Sequence, residues 1–159
     1  MSEFNVVTQE LRRLLEEWEP KLLLMPDDLI TEHYNEQHRT IKQILGHLAD
    51  SASNNTHRIV HLQYQESPLQ FPNYATNGNN DKWIAIQHYQ QEDWKALVNY
   101  WKYTNLHIIH VINNVDHSKL ENTWQNKEDS YISLREGIMD YLRHFKLHLN
   151  EIDVLLITR

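Results

Sequence analysis

Residues 133–152 read SLREGIMDYLRHFKLHLNEI, and this stretch decides the fold. Leu134, Ile138, Leu142, Phe145, Leu149 and Ile152, continued by Leu156, recur every three or four residues and so line one side of an α-helix. Ser133-Leu134-Arg135-Glu136 has the form of a capping box. In that motif the serine side chain takes a free amide of the first turn and the glutamate reaches back to the serine amide. A helix therefore starts near Ser133. Gly137 inside it costs up to about 1 kcal/mol against alanine, and reads as a point of close packing.

Three further segments carry the same period. Thr40-Ile41-Lys42-Gln43 is a second capping box, and Ile41, Ile44, Leu45, Leu48, Ala52, Ile59 and Leu62 predict a helix over 40–65. Phe4, Val7, Leu11, Leu14, Leu15 and Trp18 predict one over 3–25, with a kink or an end at Pro20. Trp94, Leu97, Val98, Trp101, Ile108, Ile112 and Val115 predict one over 90–115. ESPLQFPNYATNGNND, residues 66–81, reads as a long loop, and Asp81 can cap a short helix over 82–88. Residues 116–129 read as a polar connector. Only 3 glycines and 4 prolines occur, so the long segments lack breakers. The expectation is an all-α four-helix bundle in one domain, 1–159, with a long loop and a short helix between helices two and three.

The chain has 159 residues, 22 of them acidic and 15 basic, for a formal charge of -7. That sign disfavours nucleic acid and anionic lipid as partners. With no cysteine, disulfides, thiolate ligands and a cysteine nucleophile are excluded. No apolar run approaches the ~20 residues of a membrane span, and MSEFNVVTQE lacks the pattern of a signal peptide. A cytoplasmic protein is expected.

The chain carries 11 histidines. Two pairs have i, i+4 spacing, His57 with His61 and His144 with His148, while His107 and His110 are three apart. Such spacing puts two imidazoles on one helical face, within reach of one ion. At roughly 100° per residue, His144 and His148 fall about 120° and 80° from the core direction of Ile138, at the core edge. His47 lies about 120° from that of Ile41, on a polar stripe with Ser51, Asn54 and Arg58, whereas His57 points nearly opposite the core, about 160° away. His61 also points outward. His47 can complete the His144–His148 pair across the bundle, leaving a ligand position open. The same residues also fit a water-satisfied core edge.

IKQILGHLADSASNNTHRIV, residues 41–60, resembles the K-E-I-L-G-H-L-x-D-S signature of the DinB-like superfamily. SLREGIMDYLRHFKLHLNEI resembles that superfamily's last helix, with its D-Y-x-x-H-x-x-x-H core. Residues 89–112, YQQEDWKALVNYWKYTNLHIIHVI, are similar to the aromatic and Asn-x-His pattern of one subgroup. The resemblance implies an up-down-down-up four-helix bundle, usually a homodimer, with zinc or nickel held by three histidines. Those ligands map onto His47, His144 and His148. Leu147 and Val154 point outward on the wheel and are candidates for a dimer contact.

Such a metal, with an open position, lowers the pKa of a water or thiol that it binds. The implied activity is transfer of a low-molecular-weight thiol to an electrophile, or hydrolysis of a small substrate. Asn54 and Arg58 are candidates for substrate binding, or for orienting the nucleophile, and Tyr141 for proton donation. Asp50 points outward by the same wheel, toward the loop or a partner, and His107 is a candidate support for the site. A non-enzymatic metal-binding or structural bundle is the competing expectation.

Overall fold

The computed structural model describes residues 3–158. Four long helices form the bundle: α1 (Asn5–Leu23), α3 (Ile41–Tyr64), α5 (Trp94–Asn113) and α6 (Leu134–Ile157). Two short ones, α2 (Asp27–Glu32) and α4 (Asn79–Gln87), lie in the connections. Both capping boxes form: Thr40 and Gln43 close the start of α3, and Ser133 and Glu136 that of α6. Asp93 caps α5 by accepting from the Ala96 amide. α1 runs through Pro20 and ends three residues later, at Leu23.

α1 and α3 each pack against α5 and α6. Side-chain pairs give the helix directions. His47 meets His148 and Ser51 meets His144, so α3 and α6 are antiparallel. Trp101 stacks on Phe145 at 6.0 Å, and Asn105 bonds Tyr141, so α5 also opposes α6. Lys102 pairs with Glu19, and the Trp94 indole donates to the Leu22 carbonyl, so α1 opposes α5. The order is therefore up, down, down, up. The core between the helices is filled by Leu11, Leu15, Ile44, Leu45, Leu48, Trp101, Ile108, Ile138 and Phe145.

The connector before α6 is more ordered than expected. Residues 117–119 make a 3₁₀ turn, and β1 (Thr123–Lys127) pairs antiparallel with β2 (Ser130–Ser133). The 66–78 loop joins this hairpin: the Leu69 amide donates to the Thr123 carbonyl at 2.7 Å, and the Gln125 amide to the Leu69 carbonyl at 3.1 Å. The Trp124 indole donates to the Phe71 carbonyl.

The first half of α3 is enclosed by α2, α4, α5, α6 and the turn at Tyr89, so nearly every residue from Ile41 to Ala52 is buried. Gly46 makes this possible. A Cβ there would lie 2.2 Å from the Tyr89 ring, inside contact distance. Asp50, expected to face outward, is buried with 1% exposure. It accepts from the Tyr89 hydroxyl at 2.6 Å and the Gln87 amide at 2.8 Å. The wheel assumed one buried side, but this half of the helix is covered all round. Gly137 has nothing within 4 Å of a Cβ position, so it leaves open space and is not a packing contact.

Candidate metal centre

His47 projects from α3, and His144 and His148 from consecutive turns of α6. His47 Nε2 lies 3.0 Å from His148 Nε2, which lies 3.1 Å from His144 Nε2. One ring nitrogen from each of the three falls within 4.8 Å of the others. Nitrogens about 2.1 Å from a shared ion stand roughly 3.0 Å apart at a right angle and roughly 3.4 Å apart at a tetrahedral angle. The spacing suits a divalent cation with little rearrangement.

The opposite ring nitrogens are held from behind. His148 Nδ1 is 2.8 Å from Glu151 Oε2, one turn on along α6. His144 Nδ1 is 3.4 Å from the Ser51 hydroxyl, and His47 Nδ1 is 3.3 Å from the Tyr74 hydroxyl. Partners at Nδ1 fix the ring plane and leave Nε2 to face its neighbours.

Electrostatics keep the cluster ready for a cation. Burial, reinforced by the other two histidines and Arg39, pushes the His47 imidazole far below its ordinary pKa. Burial, with His148 and Arg143 beside it, lowers His144 to about 4 against the opposing pull of Asp140 and Glu151. Both are neutral near pH 7, the form that offers a lone pair. Burial alone would raise the Glu151 carboxyl, but the hydrogen bond and charge of His148, with Arg39 and Asn35, hold it below its ordinary value.

His47 and His148 are buried, while half-buried His144 lines a cavity of about 500 Å³. The α3 side of the cavity presents Ser51, Asn55 and Arg58, and the α6 side Gly137, Asp140 and Tyr141. The hairpin and the 66–78 loop supply the remaining wall through Trp124, Lys127, Asn73 and Tyr74.

Arg58 thus stands in the cavity, its guanidinium 3.9 Å over the Trp124 ring and bonded to Asn55 Oδ1. Tyr141 lines the cavity too, but its hydroxyl donates to Asn105 Oδ1 at 2.7 Å. Asn54 does not line it: its amide donates to the Asp50 carbonyl, and Asn55 faces the space instead. His107 is exposed and stacks on His110, away from the cluster. His57 is exposed, and His61 bonds Tyr64 and Gln65.

Four contributors went unread in the sequence. Glu151 carries a usable signal, the i, i+3 spacing from His148 on one helix. Ser51 was on the polar stripe without a role. Asn55 and Tyr74 carry no periodic signal that marks them.

No family model and no curated protein matches the chain. Solved structures do. One is YfiT from Bacillus subtilis, described as a probable metal-dependent hydrolase with an unusual four-helix bundle topology. It aligns with a TM-score of 0.76 and 19% identity over 98% of this chain and 87% of that one. Another is the mycothiol-dependent maleylpyruvate isomerase, with a TM-score of 0.73 and 15% identity over 96% of this chain. This chain spans 63% of the isomerase's length. The likeness is one of fold, and the fold here is a four-helix bundle. Among the described residues, no helix is long and apolar enough to cross a membrane.

Proposed function

We propose that this protein is a metal-dependent enzyme that activates a small nucleophile beside the cavity, either a low-molecular-weight thiol for transfer to an electrophile or a water for hydrolysis. The observation that carries this reading is the convergence of three Nε2 atoms whose Nδ1 partners point away from them. His47, His144 and His148 are the proposed ligands, for zinc or nickel. When bound, such a cation on neutral imidazoles supplies a Lewis acid that lowers the pKa of a water or thiol in its remaining position.

The chain's own residues do the rest. Glu151 accepts from His148 and sharpens that ring as a donor to the cation. Ser51 and Tyr74 orient the other two rings. Tyr74 is itself held protonated, because burial and then the Asp50 charge raise its pKa. Half-buried His144 forms the boundary between cluster and cavity, so a nucleophile arriving there meets a substrate lodged against α3 and the hairpin. Since the chain has no cysteine, a thiol in the reaction comes from a second substrate. Tyr141 is committed to Asn105, and its proposed part is to shape the cavity. The neighbours' descriptions, a probable metal-dependent hydrolase and a mycothiol-dependent isomerase, support both forms of the chemistry.

The family resemblance also implies a homodimer. Leu147 and Val154, 47% and 49% exposed on α6, are the proposed apolar contact. A cytoplasmic location and a single domain complete the reading.

The test is zinc- and nickel-loaded protein against a panel of thiol–electrophile pairs and a panel of esters and amides, beside His148→Ala. Turnover in one panel, lost in the variant together with its metal, is expected. Fully loaded protein inactive in both panels would leave a metal-binding structural bundle.

A further inference from the structure

Two cations, Arg58 and Lys127, line the cavity beside two acids, Glu136 and Asp140. Neither acid bonds either cation: Glu136 accepts from the Ser133 amide and hydroxyl in the capping box, and Asp140 is paired with Arg143 at 2.5 Å and acts on Arg58 only at longer range. Neither Arg58 nor Lys127 has a carboxylate within ion-pair distance among the described residues. Lys127 is exposed and solvated at the cavity edge. Arg58 is half-buried, its guanidinium carbon 3.9 Å over the Trp124 ring, with Asn55 fixing one of its nitrogens. A desolvated guanidinium held over an aromatic face presents its donors in a fork that matches a carboxylate.

Its position matters as much as its charge. Ser51, which touches His144, and Arg58 are seven residues apart on α3, roughly 10 Å along the axis. Helical side chains lean toward the N-terminus, which brings the guanidinium back toward the histidines. We propose that Arg58 anchors a carboxylate of the substrate, orienting a small anionic molecule so that its far end meets the histidine cluster. This rests on the reading of the cavity as the reaction site. It deepens that reading by naming the substrate class, a carboxylate, carried by either the electrophile or the thiol.

The test titrates the full chain, zinc-loaded and zinc-free, with succinate and with its neutral isostere succinamide, following tryptophan emission. Trp124 beneath the guanidinium reports occupancy, and Trp124→Phe identifies its share of the signal. Succinate is expected to bind about tenfold or more tightly than succinamide, with or without zinc. Arg58→Gln brings the two to within about twofold, Arg58→Lys keeps part of the preference, and Lys127→Gln changes it by less than about threefold.

No preference in the parent protein, or one that survives in folded Arg58→Gln, overturns the proposal. So does a preference that appears only with zinc, which places the anion on the metal. The zinc-free arm separates this inference from the metal reading, because a chain that binds no zinc can still pass it. 3-Mercaptopropionate identifies the carrier. If the thiol bears the carboxylate, removing either zinc or the guanidinium weakens its binding about tenfold. If the electrophile bears it, Arg58→Gln leaves 3-mercaptopropionate unaffected while succinate loses its preference over succinamide.

Discussion

Glu151 Oε2 lies 2.8 Å from His148 Nδ1, and no other carboxylate among the described residues is bonded to the three-histidine cluster. Asn35 donates to the same oxygen from the α2–α3 connection. Glu151→Gln keeps the shape and removes the charge. Zinc affinity is expected to fall about 10- to 100-fold, with the fold intact. Competition with a chromophoric chelator measures it, and an unchanged affinity would assign Glu151 to packing alone.

Metal loading stabilises the fold by mass action. At free zinc about 100 times the dissociation constant, the gain is about 2.7 kcal/mol. For a chain of this size that raises Tm by roughly 5–10 °C. His47→Ala and His148→Ala should lose the shift. A Tm that rises with zinc in both variants would place the binding elsewhere.

Asp50 makes stability depend on pH. Burial pushes its pKa up to about 6 from 3.8, against the hydrogen bonds from Tyr89 and Gln87. Between those values the folded state holds a proton that the unfolded chain releases. Asp50 therefore favours the fold fully below about pH 4 and loses that contribution as pH rises through 6, by at most about 3 kcal/mol. The buried histidines titrate too, with the opposite sign, so the informative quantity is the difference between the parent and Asp50→Asn. Urea unfolding at several pH values should show the parent losing stability relative to the variant between pH 4 and 6.

Two helical glycines should respond oppositely to alanine. Gly46→Ala drives a methyl into the Tyr89 ring and should cost about 1–3 kcal/mol or more. Gly137→Ala meets nothing and should gain up to about 1 kcal/mol in helix propensity, while narrowing the cavity and raising KM. Thermal melts of the pair decide.

Tyr141→Phe leaves Asn105 Oδ1 buried without its donor, and should destabilise by about 1–3 kcal/mol with zinc content unchanged. A large fall in kcat with the melt unmoved would instead make Tyr141 a catalytic residue.

The parts of the fold that were legible are those encoded locally. The capping boxes at Thr40 and Ser133 fixed two helix starts to the residue, and long apolar stripes marked four helices. The hairpin was not legible, because alternation over Thr123–Lys127 and Ser130–Ser133 is too short and too polar to stand out from a loop. Asp50 was misread because a wheel knows one core direction, whereas α3 is wrapped by several elements. For the candidate site, spacing and resemblance pointed to His47, His144 and His148, which the fold brings together. Tyr74 depends on a loop whose course follows from its bonds to the hairpin, and no pattern in its own sequence records that.

Those bonds have a consequence for how the protein can change. The histidines stand on helices locked into the bundle. The facing wall is a pair of segments, 66–78 and 123–133, bonded to each other through Leu69, Thr123 and Gln125. The three histidines and most of the facing wall are therefore written in separate stretches of chain, with Tyr74 the side chain that joins them. Residues of the hairpin can be exchanged to admit a different molecule while the nitrogens keep their spacing, so the reaction can be inherited and its clientele revised.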